Sequence, residues 1–272
     1  MISQNQCQEY AVSETVGFII IFGIVISGIG LVTLYGYPAL LDQQHEANIR
    51  NMEKTLIVLQ TDINSLAFKN VPYQETAVQV SGGTLSVQKD PLTTPYFKFD
   101  FPTGATSSYA PGQLRFVSDD GNAIICLENG AVVKRFNSIT GSVMISKPRW
   151  FYDATTKTMV IPIITLNATQ NFAQTGIGTI AMKLTDSQES APIPVHPNEN
   201  IMKIAYYNGL SNSYEDDYYR AWEMYLSESE YPFQVETANP PFDITCNFAK
   251  DPVNLPVDYL VIKNYNITII SL

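Results

Sequence analysis

Basic residues are scarce in this sequence, and none precedes Arg50. Sixteen lysines and arginines stand against 26 acidic residues, giving a net charge of -10 and a pI near 4.6. That balance lacks the basic face a nucleic acid would need. Histidine occurs twice, as His45 and His196, and neither lies in HExxH or any other ligand spacing. A Ser-His-Asp arrangement would need one of them in a folded cleft, and both read as surface residues. Three cysteines occur, Cys7, Cys126 and Cys246, with no CxxC and no Cys/His cluster, so a structural zinc is not expected. Cys126 and Cys246 fall in the globular part. They read as two buried thiols or, in an oxidising compartment, as a candidate disulfide. No long repeat and no low-complexity tract is present.

What the chain does have is a run from Val16 to Leu41, 26 residues without a charged side chain. A bilayer core of about 30 Å needs about 20 apolar residues as helix, so residues 16–41 are long enough to span with some tilt. Gly23, Ser27, Gly28 and Gly30 place small residues within the span, which allows close helix approach in lipid. After Leu41 the sequence turns polar, and Ile49, Met52, Leu56, Leu59, Ile63 and Leu66 follow at alternating spacings of three and four. This is the pattern of a helix packing seam, so residues 42–68 read as an amphipathic continuation. As one helix, residues 16–68 would run about 80 Å at 1.5 Å per residue. Pro38 lacks an amide hydrogen and crowds the carbonyl of Leu34, which predicts a kink or short break near Gly36-Tyr37-Pro38.

From Val71 the patterning is that of strands. Gln79 to Val87, around Gly82-Gly83, predicts a hairpin. Ile124 to Lys134, around Asn129-Gly130, predicts a sharper one, because both turn residues accept positive φ. Further strands are expected at 96–101, 114–118, 142–146, 159–165, 178–184, 259–263 and 267–272, spacing that suits a sandwich or strongly curved sheet. Residues 187–200, with Pro192, Pro194 and Pro197, predict a long loop. A second helix is expected over 213–227, with Glu215, Asp216 and Asp217 at its positive end and Tyr218, Tyr219, Trp222 and Tyr225 on its packing face. The fold class is therefore α+β. A long N-terminal helix (11–70) leads to a mainly antiparallel, sandwich-like β head (71–272) with one additional helix.

Nothing in this pattern assembles an active site, and the chain reads as a non-enzyme with no metal, cofactor or small-molecule substrate. Asp119-Asp120-Gly121-Asn122 lacks the downstream glutamate of an EF-hand and reads as a tight turn. Gly176-Ile177-Gly178 is too short and too β-like for a phosphate loop. Asn167-Ala168-Thr169 and Asn266-Ile267-Thr268 are N-glycosylation sequons.

Over Tyr10-Ala11-Val12-Ser13-Glu14-Thr15-Val16-Gly17-Phe18-Ile19-Ile20-Ile21-Phe22 the chain resembles archaeal type IV pilin-like proteins. The resemblance is fairly specific over residues 10–41. More loosely, Tyr109-Ala110-Pro111-Gly112, Glu128-Asn129-Gly130-Ala131-Val132 and Gly141-Ser142-Val143-Met144 look like strand motifs of an uncharacterised group of archaeal pilin-like surface proteins. The resemblance implies a leader (residues 1–10) removed by a prepilin peptidase, with the Tyr10–Ala11 bond as candidate processing site. It implies that the helix leaves the bilayer and bundles with other pilin-like subunits, and that Glu14 meets the new α-amino group of a neighbour. Residues 1–10 depart from the family's leaders in carrying neither Lys nor Arg.

With Arg50 and Lys54 after the span, the positive-inside rule alone would place the head in the cytoplasm. The resemblance, the β-rich head and the sequons place it outside, on the membrane or in a surface filament. The alternative is a membrane-anchored monomeric binding or adhesion module, and a less favoured third is a sensor with its head inside. The tyrosine-rich segment 206–231 would be a contact face or core. In a filament the Ile49–Leu66 stripe should pack partly between subunits; in a lone anchor, only on its own head.

Overall fold

Helix α1 (Gln6–Leu31) passes through a π-helical turn, Val32–Gly36, into α2 (Tyr37–Phe68). This is a computed structural model. It describes residues 6–69, 71–89, 94–101, 104–136, 141–195, 203–207, 218–228, 230–237, 243–248 and 257–272, with backbone alone at 6–13, 203, 234, 236–237 and 243–248. Two compact units divide the chain, Met1–Asn48 and Ile49–Leu272. In the first, the expected break at Pro38 takes the form of the π turn. The amide of Tyr37 donates to the carbonyl of Val32, five residues back, so one residue is looped into the helix ahead of the proline. That widening relieves the crowding of the Leu34 carbonyl by the Pro38 ring without ending the helix.

In the second unit the strands are β1 (Tyr73–Gln88), β2 (Tyr96–Asp100), β3 (Thr106–Tyr109), β4 (Gln113–Ser118), β5 (Ala123–Glu128), β6 (Ala131–Phe136), β7 (Ser142–Ser146), β8 (Phe151–Asp153), β9 (Thr158–Ala168), β10 (Ala173–Glu189), β11 (Ile193–Pro194), β12 (Lys203–Tyr207), β13 (Phe233–Thr237), β14 (Asp243–Phe248) and β15 (Tyr259–Ser271). Helix α3 (Tyr219–Leu226) lies between β12 and β13 in the chain. Among the described residues these strands form two sheets. The large one runs β7-β6-β5-β4-β1-β10-β15-β9-β8, with β11 added beside β15; the small one runs β13-β14-β12-β2-β3. All described pairings are antiparallel except β9 with β15. The class is α+β, as the sequence predicts.

The large sheet carries an apolar core on each face. On one, Val78, Val80, Leu85, Leu114, Phe116, Ile125, Leu127 and Val132 meet Met52, Leu56, Leu59, Ile63 and Leu66 of α2. On the other, Ile124, Cys126, Ala131 and Val133 meet Phe97, Phe99, Ile204 and Tyr206 of the small sheet and Trp222 and Tyr225 of α3. Strand β5 is therefore buried at every position, with successive side chains going to opposite cores. The sheet also curls. The free edge of β9 is met by the Leu166 amide donating to the Pro111 carbonyl at 2.7 Å, and by the Ile164 amide donating to Asn129 Oδ1 at 2.9 Å.

Three expectations need correction. Gly82-Gly83 does not reverse the chain. Gly82, at φ 69°, sits at a register shift inside one long strand, which pairs with β10 on both sides of the shift, at 73–80 and 85–86, and with β4 from Gly83. A glycine at positive φ serves a bulge as readily as a turn, and here strands on both sides hold the chain extended. The two expected C-terminal strands are one, β15, running unbroken through Asn264-Tyr265-Asn266. The proline-rich loop starts later than expected, because β10 extends to Glu189, and Ile193–Pro194 within it pairs with β15; residues 196–200 lie outside the described set.

Candidate functional site

From Val16 to Leu40 the large apolar side chains of α1 and early α2 are exposed on all sides, with Phe18 69% and Leu34 70% accessible. The helix is long and apolar enough to cross a membrane. Because apolar residues occur around its whole circumference, only an apolar surrounding, lipid or other helices, removes that surface from water. Glu14, the first described side chain of α1, is exposed at the start of this region. Tyr10 and Ala11 lie on the helical backbone of α1, with side chains outside the described set.

The seam residues are found elsewhere. Met52, Leu56, Leu59, Ile63 and Leu66 are each at most 1% exposed, and Ile49 is partly buried beside them. They pack on the head of their own chain. The expectation that this stripe lies partly between subunits is corrected: a curled sheet already covers it. The opposite face of α2 stays open, with Val58 half exposed and the hydroxyls of Thr55, Thr61 and Ser65 bonded back to carbonyls four residues earlier.

The Asn129-Gly130 hairpin is a joint between layers. Both residues take positive φ, 44° and 72°, and the turn is buried. Glu128 Oε1 accepts from Tyr206 Oη of β12 at 2.9 Å and from Trp222 Nε1 of α3 at 2.5 Å. Asn129 Oδ1 holds β9, as above. The Gly130 carbonyl accepts from Gln60 Nε2 of α2 at 2.6 Å, and the same amide reaches the Lys147 carbonyl at 3.0 Å. Three consecutive residues thus tie together the small sheet with α3, the sheet edge and the seam helix. Ser142 Oγ adds a fourth tie by accepting the Ala221 amide at the start of α3. Sequence reasoning assigned none of these roles; the signal present was the Glu128-Asn129-Gly130 and Gly141-Ser142 motifs themselves.

The tyrosines of segment 206–231 that the structure describes are mostly core. Tyr206, Tyr218 and Tyr225 are at most 1% exposed, and Tyr225 Oη lies 2.8 Å from Tyr231 Oη. Burial, ahead of any neighbour, pushes the phenol pKa values of Tyr206 and Tyr225 well above the usual 10. A phenol raised in the folded state contributes stability that is full below the unfolded pKa near 10 and falls as pH rises beyond it. We expect flat stability up to about pH 9 and a loss above pH 10 of about 1.4 kcal/mol per pH unit for each of these two tyrosines. Denaturant melts between pH 8 and 11.5 measure this; a flat profile would contradict the burial of both phenols.

The other sequence candidates are placed as follows. Asp119-Asp120-Gly121-Asn122 is a turn in which Asp120 Oδ1 accepts from Ser118 Oγ and the Asn122 amide. Gly176-Ile177-Gly178 lies within β10, paired to β1. Cys126 is buried in β5, while Cys246 lies on β14 with its side chain outside the described set. Asn167 and Asn266 are partly exposed on β9 and β15. His45 is half-buried on α2. His196 and Glu215 to Asp217 lie outside the described residues, and α3 begins at Tyr219 rather than near 213. Among the described residues no group of three His, Cys, Asp or Glu side chains is placed to hold a metal.

A family model matches residues 11–260, which span the apolar helix, the seam and nearly all of the head. The chain belongs to DUF7289, a family of unknown function. An uncharacterized protein of Archaeoglobus fulgidus is 24% identical over 197 residues, covering 57% of this chain. The match spans 65% of that relative's length, a little under two thirds. No solved structure matches. The matched region begins at Ala11, next to the candidate processing bond, and includes all three strand motifs.

Proposed function

We propose that this DUF7289 member is a non-enzymatic, pilin-like surface protein, a filament subunit whose N-terminal helix bundles with other subunits and displays the β head outside the cell. The observation that carries this reading is the exposed apolar helix headed by a carboxylate. A simple anchor needs the length of residues 16–41 but has no use for Glu14, whose charge is costly beside lipid unless it finds a partner. In this reading the leader ends at Tyr10, the membrane holds the subunit before assembly, and Ala11 carries the new amine.

A second reading, a permanently anchored monomeric binding or adhesion module, draws support from the seam. Because Met52, Leu56, Leu59, Ile63 and Leu66 are used up by their own head, this stripe is closed to assembly. The measurement that separates the two is N-terminal mass analysis of protein from the cell surface, together with a shearing test. The filament reading expects a chain beginning at Ala11, recovered in sheared high-molecular-weight material. A chain retaining residues 1–10 that stays monomeric in detergent and absent from sheared material would sink it and leave the anchor.

A further inference from the structure

Among the described residues, the small sheet covers only part of one face of the large sheet, and both sequons lie on the part beyond it, with Asn167 and Asn266 partly exposed. On β9, Met159, Ile161 and Ile163 alternate into the core beneath the small sheet; the next two side chains on that face are Thr165 and Asn167. On β15, Leu260 and Ile262 do the same and are followed by Asn264, Asn266 and Thr268. On the opposite face of the same stretch, Ile164, Leu166, Ile267 and Ile269 lie in the seam-helix core. In the parallel ladder Thr165 faces Asn266 and Asn167 faces Thr268. The two acceptor asparagines therefore sit on neighbouring strands two residues apart, about 8 Å by strand spacing and rise.

The three asparagines of this patch differ. Asn264, which heads no sequon, has its Oδ1 bonded to Thr165 Oγ1 at 3.4 Å. Asn167 and Asn266, partly exposed, have no side-chain hydrogen bond among the described residues. Asn129, the asparagine of the buried hairpin, is committed to the Ile164 amide. An amide already spent on the fold is a poor acceptor, since substitution at its nitrogen would also demand room. Within this patch, the two amides without a hydrogen bond are the two that carry the Asn-x-Thr pattern.

We infer that Asn167 and Asn266 are N-glycosylated, forming a paired glycan patch over the sheet face that the small sheet leaves uncovered. This rests on the outward placement of the head in the proposed function. In the transfer, a lipid-phosphate-linked oligosaccharide is the co-reactant. The bond from its anomeric carbon to the phosphate oxygen breaks, that carbon bonds to asparagine Nδ2, the lipid phosphate leaves, and one amide proton passes to the base of the transferase. Thr268 Oγ1, the sequon hydroxyl of Asn266, lies 2.6 Å from Thr185 Oγ1 on β10.

The test is glycopeptide mass analysis of the full chain purified from its own cells, with protease accessibility of the head on intact cells measured in parallel. Both sequon peptides should carry a sugar mass and the Asn264 position none; Asn167→Gln and Asn266→Gln should each remove one increment. Thr169→Val and Thr268→Val should do the same while keeping the asparagine, which distinguishes enzymatic transfer from chemical adducts. A protease-accessible head with both asparagines bare overturns the inference and leaves the outward reading standing, and a single bare site strikes out that site. A protease-protected head with both bare overturns the outward reading and this inference with it.

Discussion

Glutamate at Leu56 and Leu59 destroys the folded head. Both leucines are fully buried, between α2 and the sheet that curls over it. Removing one buried leucine side chain to alanine costs about 2–5 kcal/mol in cavity and transfer terms. A glutamate adds the penalty of an uncompensated carboxylate in an apolar site, several kcal/mol more. Two such changes exceed the whole stability of an ordinary domain, about 5–15 kcal/mol. The double variant of the full chain in detergent should show no cooperative thermal transition of its β signal. Val58→Glu, between the two leucines in sequence but on the open face of α2 and half exposed, should melt within about 0.5 kcal/mol of the parent. A cooperative, near-parental melt for the double variant would mean that the seam is not the core described here. Loss of assembly in that variant would carry no information about subunit contacts, because the stripe serves the head before it can serve a neighbour.

How much of this was legible depends on the range of the interactions involved. The seam was readable because a helix core face repeats every three or four residues and needs no knowledge of its partner. Asn129-Gly130 was readable because its constraint on φ is local. The partner of the seam was not readable, since the strands covering it come from β1, β4, β5, β6, β9, β10 and β15, scattered across the chain. Gly82-Gly83 misled for the same reason. A bulge and a turn need the same backbone freedom, and the choice is made by β4 and β10, which lie far away in sequence. Asn264-Tyr265-Asn266 looked like a break because two polar residues interrupt an apolar run. They mark instead the place where the small sheet stops covering β15. The role of Glu128 was invisible in principle, because its donors lie 78 and 94 residues away.

The strand motifs change meaning in this light. Glu128-Asn129-Gly130, Gly141-Ser142 and Pro111 each supply a hydrogen bond that joins one layer of the head to another. Because they serve contacts inside the head, they are poor guides to what the head contacts. In the filament reading, the region that bears on assembly is the uncharged run of residues 16–41 with Glu14 just ahead of it.

Glutamine or leucine in place of Glu14 is expected to remove filaments from the cell surface while leaving membrane insertion and the head intact. Either change makes the apolar helix easier to hold in lipid, because it removes a charge at the boundary of the span. Anchoring should therefore be retained or improved. What is lost is the partner of the carboxylate. A hydrogen bond to a charged group contributes about 1.5–3 kcal/mol net, so each subunit junction should weaken by roughly ten- to more than a hundredfold. The loss recurs at every junction along a filament, which turns a moderate pairwise effect into failure to assemble. Sheared surface material from cells expressing Glu14→Gln should lack the protein, while the membrane fraction contains it at parental level with an unchanged head melt. Aspartate should restore assembly only in part, since the shorter side chain reaches less far. Filaments at parental yield in both the glutamine and leucine variants would remove the reason for preferring a subunit to an anchor. The exposed apolar helix would then be explained by lipid alone.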